Sequence, residues 1–328
     1  MQFWALPAPY VAYPLSRDGR WVAWGSPAVN GNRLLDTHIG EDRLLEINGS
    51  PAAATGFSPD GRLMLLVSSS TVALVETESG RSLASAAKSS GANANDTAFS
   101  NEGFAAQGFA DSKGFRATMV LRRDGSSFSI DGGSGPLRWS PEGRRLAVTT
   151  AAGVHIVSAS GETIREISLD NTDRGYNDRW SPDGRYLAVA NSYNIGGQRV
   201  FDAANGKEVL RTVGTPACFE DYWLADGTLA YGWEGQSISV PSGQVLNGSP
   251  RWPRDEGFSV DQSAAANGLY RFLLKSGRAV EFRSGKSFLY GSTTSDGEAV
   301  FLIGLGGKGR ICNGTVPALA VQLPPFQD

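Results

Sequence analysis

Carboxylates and amides gather at three places where oxygen-based chemistry is feasible: Asn95-Asp96, Asn177-Asp178 and Glu220-Asp221. Tyr176, Arg179 and Tyr222 adjoin them. The spacing is regular, since Asp178 and Asp221 each precede a further acid (Asp183, Asp226) by five positions, and Asp96 precedes Glu102 by six. If Asp96, Asp178 and Asp221 converge on one point, they can hold a hard cation such as Ca²⁺ through oxygen. A cation so held polarises a carbonyl, the chemistry of a metal-assisted lactonase or lyase. The same groups also suit a cationic or hydroxylated ligand, or form a solvated acidic rim with no dedicated ligand.

Other chemistries find less support. No G-x-S-x-G nucleophile elbow occurs, because Gly132-Gly133-Ser134-Gly135-Pro136 lacks the last glycine. Gly304–Gly309 fits G-x-G-x-x-G formally, but no helical stretch follows it as a dinucleotide fingerprint requires. His38 and His155 fall in separate strand-like segments, too few for a histidine metal centre. Cys218 and Cys312 are far apart and read as free thiols that pack as small hydrophobes. Catalysis is therefore not the expected activity, although the residues leave the question open.

The acids belong to a repeat. Leu15–Trp24, Phe57–Val67, Phe99–Phe109, Trp139–Thr149, Trp180–Ala190 and Trp223–Trp233 share one pattern, an aromatic or apolar residue, a turn carrying an acid and glycine, then an apolar strand. The turn acids Asp18, Asp60, Glu102, Glu142, Asp183 and Asp226 lie 42, 42, 40, 41 and 43 residues apart. In Pro182-Asp183-Gly184, proline presets φ, aspartate can bond backbone two residues on, and glycine accepts positive φ. A second marker recurs at Glu78–Leu83, Ala159–Ile164, Asn205–Leu210 and Pro241–Leu246. Two markers in fixed phase predict four short antiparallel strands per unit. Acids that recur once per unit cannot share one site, so they read as turn chemistry. Trp139, Trp180 and Trp223, with Phe57 and Phe99, read as packing between neighbouring units.

The WSPDGxxLAxx pattern, as at Trp180–Ala190, resembles the WD40-like repeat of TolB-type β-propellers, over roughly residues 11–250. It is also similar to the propeller domains of prolyl-oligopeptidase-type peptidases. The resemblance implies an all-β propeller of four-stranded antiparallel blades, with the start of each first strand pointing to the mouth of the central channel. Eight blades are expected, with seven the alternative. One domain over residues 1–328 is expected, its last blade closed by a strand at about Gln2–Leu6. Beyond residue 250 the expected strands are Phe258–Asp261, Leu269–Lys275, Arg278–Arg283 and Ser287–Gly291 in one unit. Glu298–Gly304, Arg310–Asn313 and Ala318–Leu323 then join the N-terminal strand.

Thirty basic residues nearly balance 33 acidic ones, and no basic run exceeds pairs such as Arg122-Arg123, which argues against nucleic acid. No apolar run is long enough to span a membrane. The N-terminus has no basic n-region and is interrupted by Pro7 and Pro9, unlike a signal peptide. A cytoplasmic monomer is expected, and a periplasmic or secreted mature form would read the same. The expected function is a non-catalytic recognition or scaffold module that binds a protein, peptide or small ligand at the channel mouth. The metal-assisted enzyme, or the regulatory propeller of a peptidase-like protein, is the alternative.

Overall fold

In the computed structural model the residues described are 2–5, 14, 16, 18–25, 31–89, 91–114, 116–169, 178–190, 198–212, 222–223, 226–231, 236–246, 259–261, 269–273, 279–283, 288–293, 300–304 and 319–322. All regular elements among them are strands. The chain divides into two compact units, 1–62 with 252–328, and 63–251.

The second unit carries the clearest repeats. Leu63–Val67, Thr71–Glu76 and Ser82–Ala87 run antiparallel in sequence order. Three four-stranded sheets follow: Asn93–Phe99, Phe104–Ala110, Arg116–Arg122 and Ser127–Asp131; then Gly133–Trp139, Arg145–Thr150, Gly153–Ser158 and Thr163–Ser168; then Asp178–Trp180, Tyr186–Ala190, Gln198–Asp202 and Glu208–Arg211. Tyr222–Trp223, Leu229–Tyr231, Gln236–Ile238 and Val245–Leu246 form a fourth. Successive sheets meet through their first strands, Asn93–Phe99 against Gly133–Trp139, that strand against Asp178–Trp180, and the last against Tyr222–Trp223.

The second strands are buried on both faces, so their runs are mostly apolar rather than alternating with polar residues, with Gln107 and Thr149 as buried polar exceptions. Period-2 geometry divides each run between two neighbours. Tyr186 and Ala188 pack with Trp223, Leu229 and Ile238 of the following sheet, whereas Leu187 and Val189 pack with Ala147, Val154 and Ile156 of the preceding one. Leu146 and Val148 likewise face Ala106, Val120 and Ile130. The core is thus a series of interfaces between sheets.

In the first unit, Trp21–Gly25, Asn32–Asp36 and Glu41–Leu44 form one sheet, and Glu46–Ile47 with Ser50–Pro51 form a small hairpin. Ser259–Asp261, Leu269–Leu273 and Ala279–Arg283 form another sheet. Gln2–Ala5 pairs antiparallel with Leu319–Gln322. The strand expected at Ser287–Gly291 differs from the sequence reading. Phe288–Thr293 does not complete the preceding unit but pairs with Val300–Gly304, in the sheet that also holds Leu319–Gln322. The strand expected at Arg310–Asn313 lies outside the described residues.

Candidate functional site

The WSPDG motif is a hydrogen-bond hub centred on its serine. The hydroxyl of Ser181, a buried residue, donates to Asp183 Oδ1 (2.6 Å) and accepts the backbone N–H of Tyr186 (2.8 Å). Asp183 Oδ1 also accepts the N–H of Arg185 (3.0 Å), and the Gly184 N–H donates to the Ser181 carbonyl (2.8 Å). Ser16 with Asp18 and Ser58 with Asp60 repeat the hydroxyl-to-carboxylate bond. Ser140 and Ser100 accept the N–H groups of Arg145 and Phe104. In the Asp226 turn, where Leu224 stands in place of the serine, Thr228 donates both its N–H and its hydroxyl to the acid. The carboxylates of Asp18, Asp60, Asp183 and Asp226 are therefore spent in closing their turns, and that of Glu142 accepts from Arg145.

The aromatic series links the sheets. Each indole N–H donates to the carbonyl just before the corresponding aromatic of the preceding sheet: Trp139 to Ala98 (3.3 Å), Trp180 to Arg138 (2.9 Å) and Trp223 to Arg179 (3.1 Å). The rings then lie against the start of the preceding second strand, Trp139 on Phe104, Trp223 on Tyr186, and Trp180 under the Arg145 guanidinium at 4.8 Å. Phenylalanine at position 99 has no N–H for such a bond. The second marker is also an inter-sheet contact, with Arg122 donating to the Ala159 carbonyl and Arg165 to the Ala204 carbonyl.

Among the acids that the sequence singled out, Asp96 is fully described. It sits where the register between Asn93–Phe99 and Phe104–Ala110 slips, between Ala94 and Thr97. Its carboxylate accepts the N–H of Thr97 (2.9 Å), the N–H of Leu137 (2.8 Å) and the Arg138 guanidinium (3.1 Å), the last two from the next sheet. Gly135, at φ 120°, permits this approach, because a Cβ there would stand 2.7 Å from the Asp96 Cβ. Asn95 is exposed in the same bulge.

Register separates Asp96 from Asp178. Asp178 pairs with Val189, two beyond the partner of Trp180; the equivalent place beside Phe99 belongs to Thr97, which pairs with Gln107. Tyr222 pairs with Ala230, and the Arg179 carbonyl is the acceptor for Trp223. Tyr176, Asn177, Glu220 and Asp221 lie outside the described residues, as do Cys218, Cys312 and residues 305–309. Among the described residues no three His, Cys, Asp or Glu side chains form a group suited to a metal ion. His155 pairs with Val148 and Glu166 in the sheet, and His38 is exposed.

The turn bonds hold several carboxyls below their ordinary range. For Asp183 the main cause is the Ser181 hydroxyl, aided by the Arg185 N–H. For Asp226 it is the Thr228 N–H, then its hydroxyl. At Glu142 burial pushes upward but is outweighed, chiefly by Arg145. At Glu208 Arg211 pulls downward most, with Arg199 assisting against burial. A carboxyl depressed on folding leaves the unfolded chain binding more protons, so stability rises with pH in that window. Its contribution is complete above the ordinary carboxylate range, about pH 4, and disappears as pH falls through the lower folded values. Urea unfolding at a series of acid pH values is expected to show this decline, with a shallower slope for Asp183→Asn than for wild type.

No protein-family model matches the chain, and no curated protein matches its sequence. Solved structures do match in shape. The β-propeller domain of Cps50 (Swd1) from Myceliophteria thermophila aligns with a TM-score of 0.51 at 12% identity, over 98% of this chain and 98% of that one. A chain of the mitotic checkpoint complex aligns with a TM-score of 0.50 at 15% identity, over 88% of this chain and 82% of the other. Dihydro-heme d1 dehydrogenase NirN, in complex with DHE, aligns with a TM-score of 0.50 at 16% identity, over 92% of this chain and 62% of that one. The fold is accordingly that of a β-propeller.

Proposed function

We propose that this propeller is a non-catalytic recognition module that takes a protein or peptide partner at the mouth of its channel. The observation that carries the reading is the fate of the acids. The carboxylates of Asp18, Asp60, Asp183 and Asp226 are bonded within their own turns, that of Glu142 is bonded by Arg145, and Asp96 is held by Leu137 and Arg138 of the neighbouring sheet. A hard cation at Asp96 would have to compete with a guanidinium and two backbone N–H groups, which disfavours the metal-assisted alternative. Membership of one similar fold in a multiprotein complex agrees with partner binding; the dehydrogenase shows that fold by itself decides nothing. On this reading Tyr176, Asn177, Asp178, Glu220, Asp221 and Tyr222, which lead into two first strands, supply polar and aromatic contacts to the partner, beside Asn95 and Arg179. Aromatic anchors with polar neighbours are the composition that interfaces favour.

The test is a cross-linked pull-down comparing wild type with Tyr176→Ala/Asp221→Asn and with Ile164→Ser, on an outer strand. The partner found cross-linked at the mouth should be lost from the first variant and kept by the second. Retention by the mouth variant together with loss from the outer-strand variant would overturn the assignment.

A further inference from the structure

Two asparagine–glycine pairs among the described residues stand in turns of different construction, Asn48-Gly49 and Asn205-Gly206. The reaction open to such a pair is intramolecular. The Gly backbone nitrogen attacks the Asn side-chain carbonyl carbon, the C–N bond to the side-chain amide breaks, and ammonia leaves with the proton lost by the backbone nitrogen. The resulting succinimide takes up one water at either carbonyl, giving aspartate or isoaspartate. The attacking nitrogen must be free of other bonds, and the leaving amide must be able to turn.

At Asn205 both requirements fail. The Gly206 N–H donates to the Asp202 carbonyl (2.8 Å), and Asn205 Oδ1 accepts the Lys207 N–H (2.8 Å). Gly206 is also crowded, since a Cβ there would stand 3.1 Å from Arg165 Cδ. Asn48 differs on each count. It occupies the tip of the hairpin in which Ile47 faces Ser50, with φ 51° at Asn48 and 76° at Gly49, the left-handed pair of a tight two-residue turn. Both residues are exposed, and a Cβ on Gly49 would meet nothing within 4 Å. In such a turn the ladder bonds join the flanking residues, leaving the second central N–H directed to water. Exposed asparagine is among the thermolabile side chains.

We propose that Asn48 is a deamidation site of the native protein, and that the fold protects Asn205 from the same reaction. The product adds one negative charge to the formal −3 of the chain. Its isoaspartate form inserts an extra backbone carbon where Glu46–Ile47 and Ser50–Pro51 pair.

The experiment ages the intact protein in mildly alkaline buffer at physiological temperature and follows both peptides by mass spectrometry, with a parallel sample in denaturant. Conversion at Asn48 is expected to run several-fold ahead of Asn205 in the native sample, and the difference should vanish on denaturation. Equal native rates, or faster loss at Asn205, would overturn the proposal. So would a ratio that persists in denaturant, because local sequence rather than the fold would then set it.

Discussion

Trp180→Ala is expected to destabilise the protein by about 3–5 kcal/mol, the range for removing a large aromatic from a core. Trp180 is buried among Ala147, Ile156 and Leu187, so its loss leaves a cavity between two sheets. Its indole also donates to the Arg138 carbonyl and its ring lies under Arg145. Trp180→Phe separates these contributions. It retains most of the packing and forfeits the hydrogen bond, for about 1 kcal/mol. Chemical denaturation of both variants measures the ladder of indoles. A loss below 1 kcal/mol for the alanine variant would mean that neighbouring sheets do not depend on the tryptophan.

Gly184→Ala is expected to cost roughly 2–4 kcal/mol, through two separable effects. Gly184 has φ 69°, where a Cβ costs about 1–2 kcal/mol. That Cβ would also stand 2.8 Å from Glu142 Oε2 and 2.9 Å from Arg145 Nη2, groups that bond each other and the Gly184 carbonyl. Forcing them apart adds overpacking of about 1–2 kcal/mol. Gly227→Ala is the comparison, since it has φ 82° but nothing within 4 Å of its Cβ. Equal losses in the two variants would show that the turn glycine does not rest on the acid of the preceding turn.

The turn motif made the architecture legible because it encodes two structures at once. Proline, acid and glycine shape a local turn, and that much follows from residue types. The aromatic, the glycine and the arginines at Arg122 and Arg165 act on the neighbouring sheet about 40 residues away. Their recurrence signals a repeat but not the bonds they make. Serine two positions before the acid was present in five of six units and visible as Ser16, Ser58, Ser100, Ser140 and Ser181. Its role as a buried donor and acceptor emerged only with the strand N–H that it satisfies.

The candidate site was less legible. Counting back from the turn acid placed Asp96 one residue from the phase of Asp178, and the count could not reveal the slip in pairing between Ala94 and Thr97. Nor could composition show that Gly135 lacks a side chain to let Asp96 reach Leu137 and Arg138. Strand order after residue 250 went astray where the turn motif fades, since weak apolar runs do not state which neighbour they pair with. Phe288–Thr293 chose its following strand.

Whether the acids near the first strands serve recognition or a cation is decided by a calorimetric Ca²⁺ titration of wild type and Asp178→Asn/Asp221→Asn. With Asp96 committed to Arg138 and Leu137, both titrations are expected to be flat. Stoichiometric heat in the wild type that disappears in the variant would contradict the recognition reading and establish a metal site.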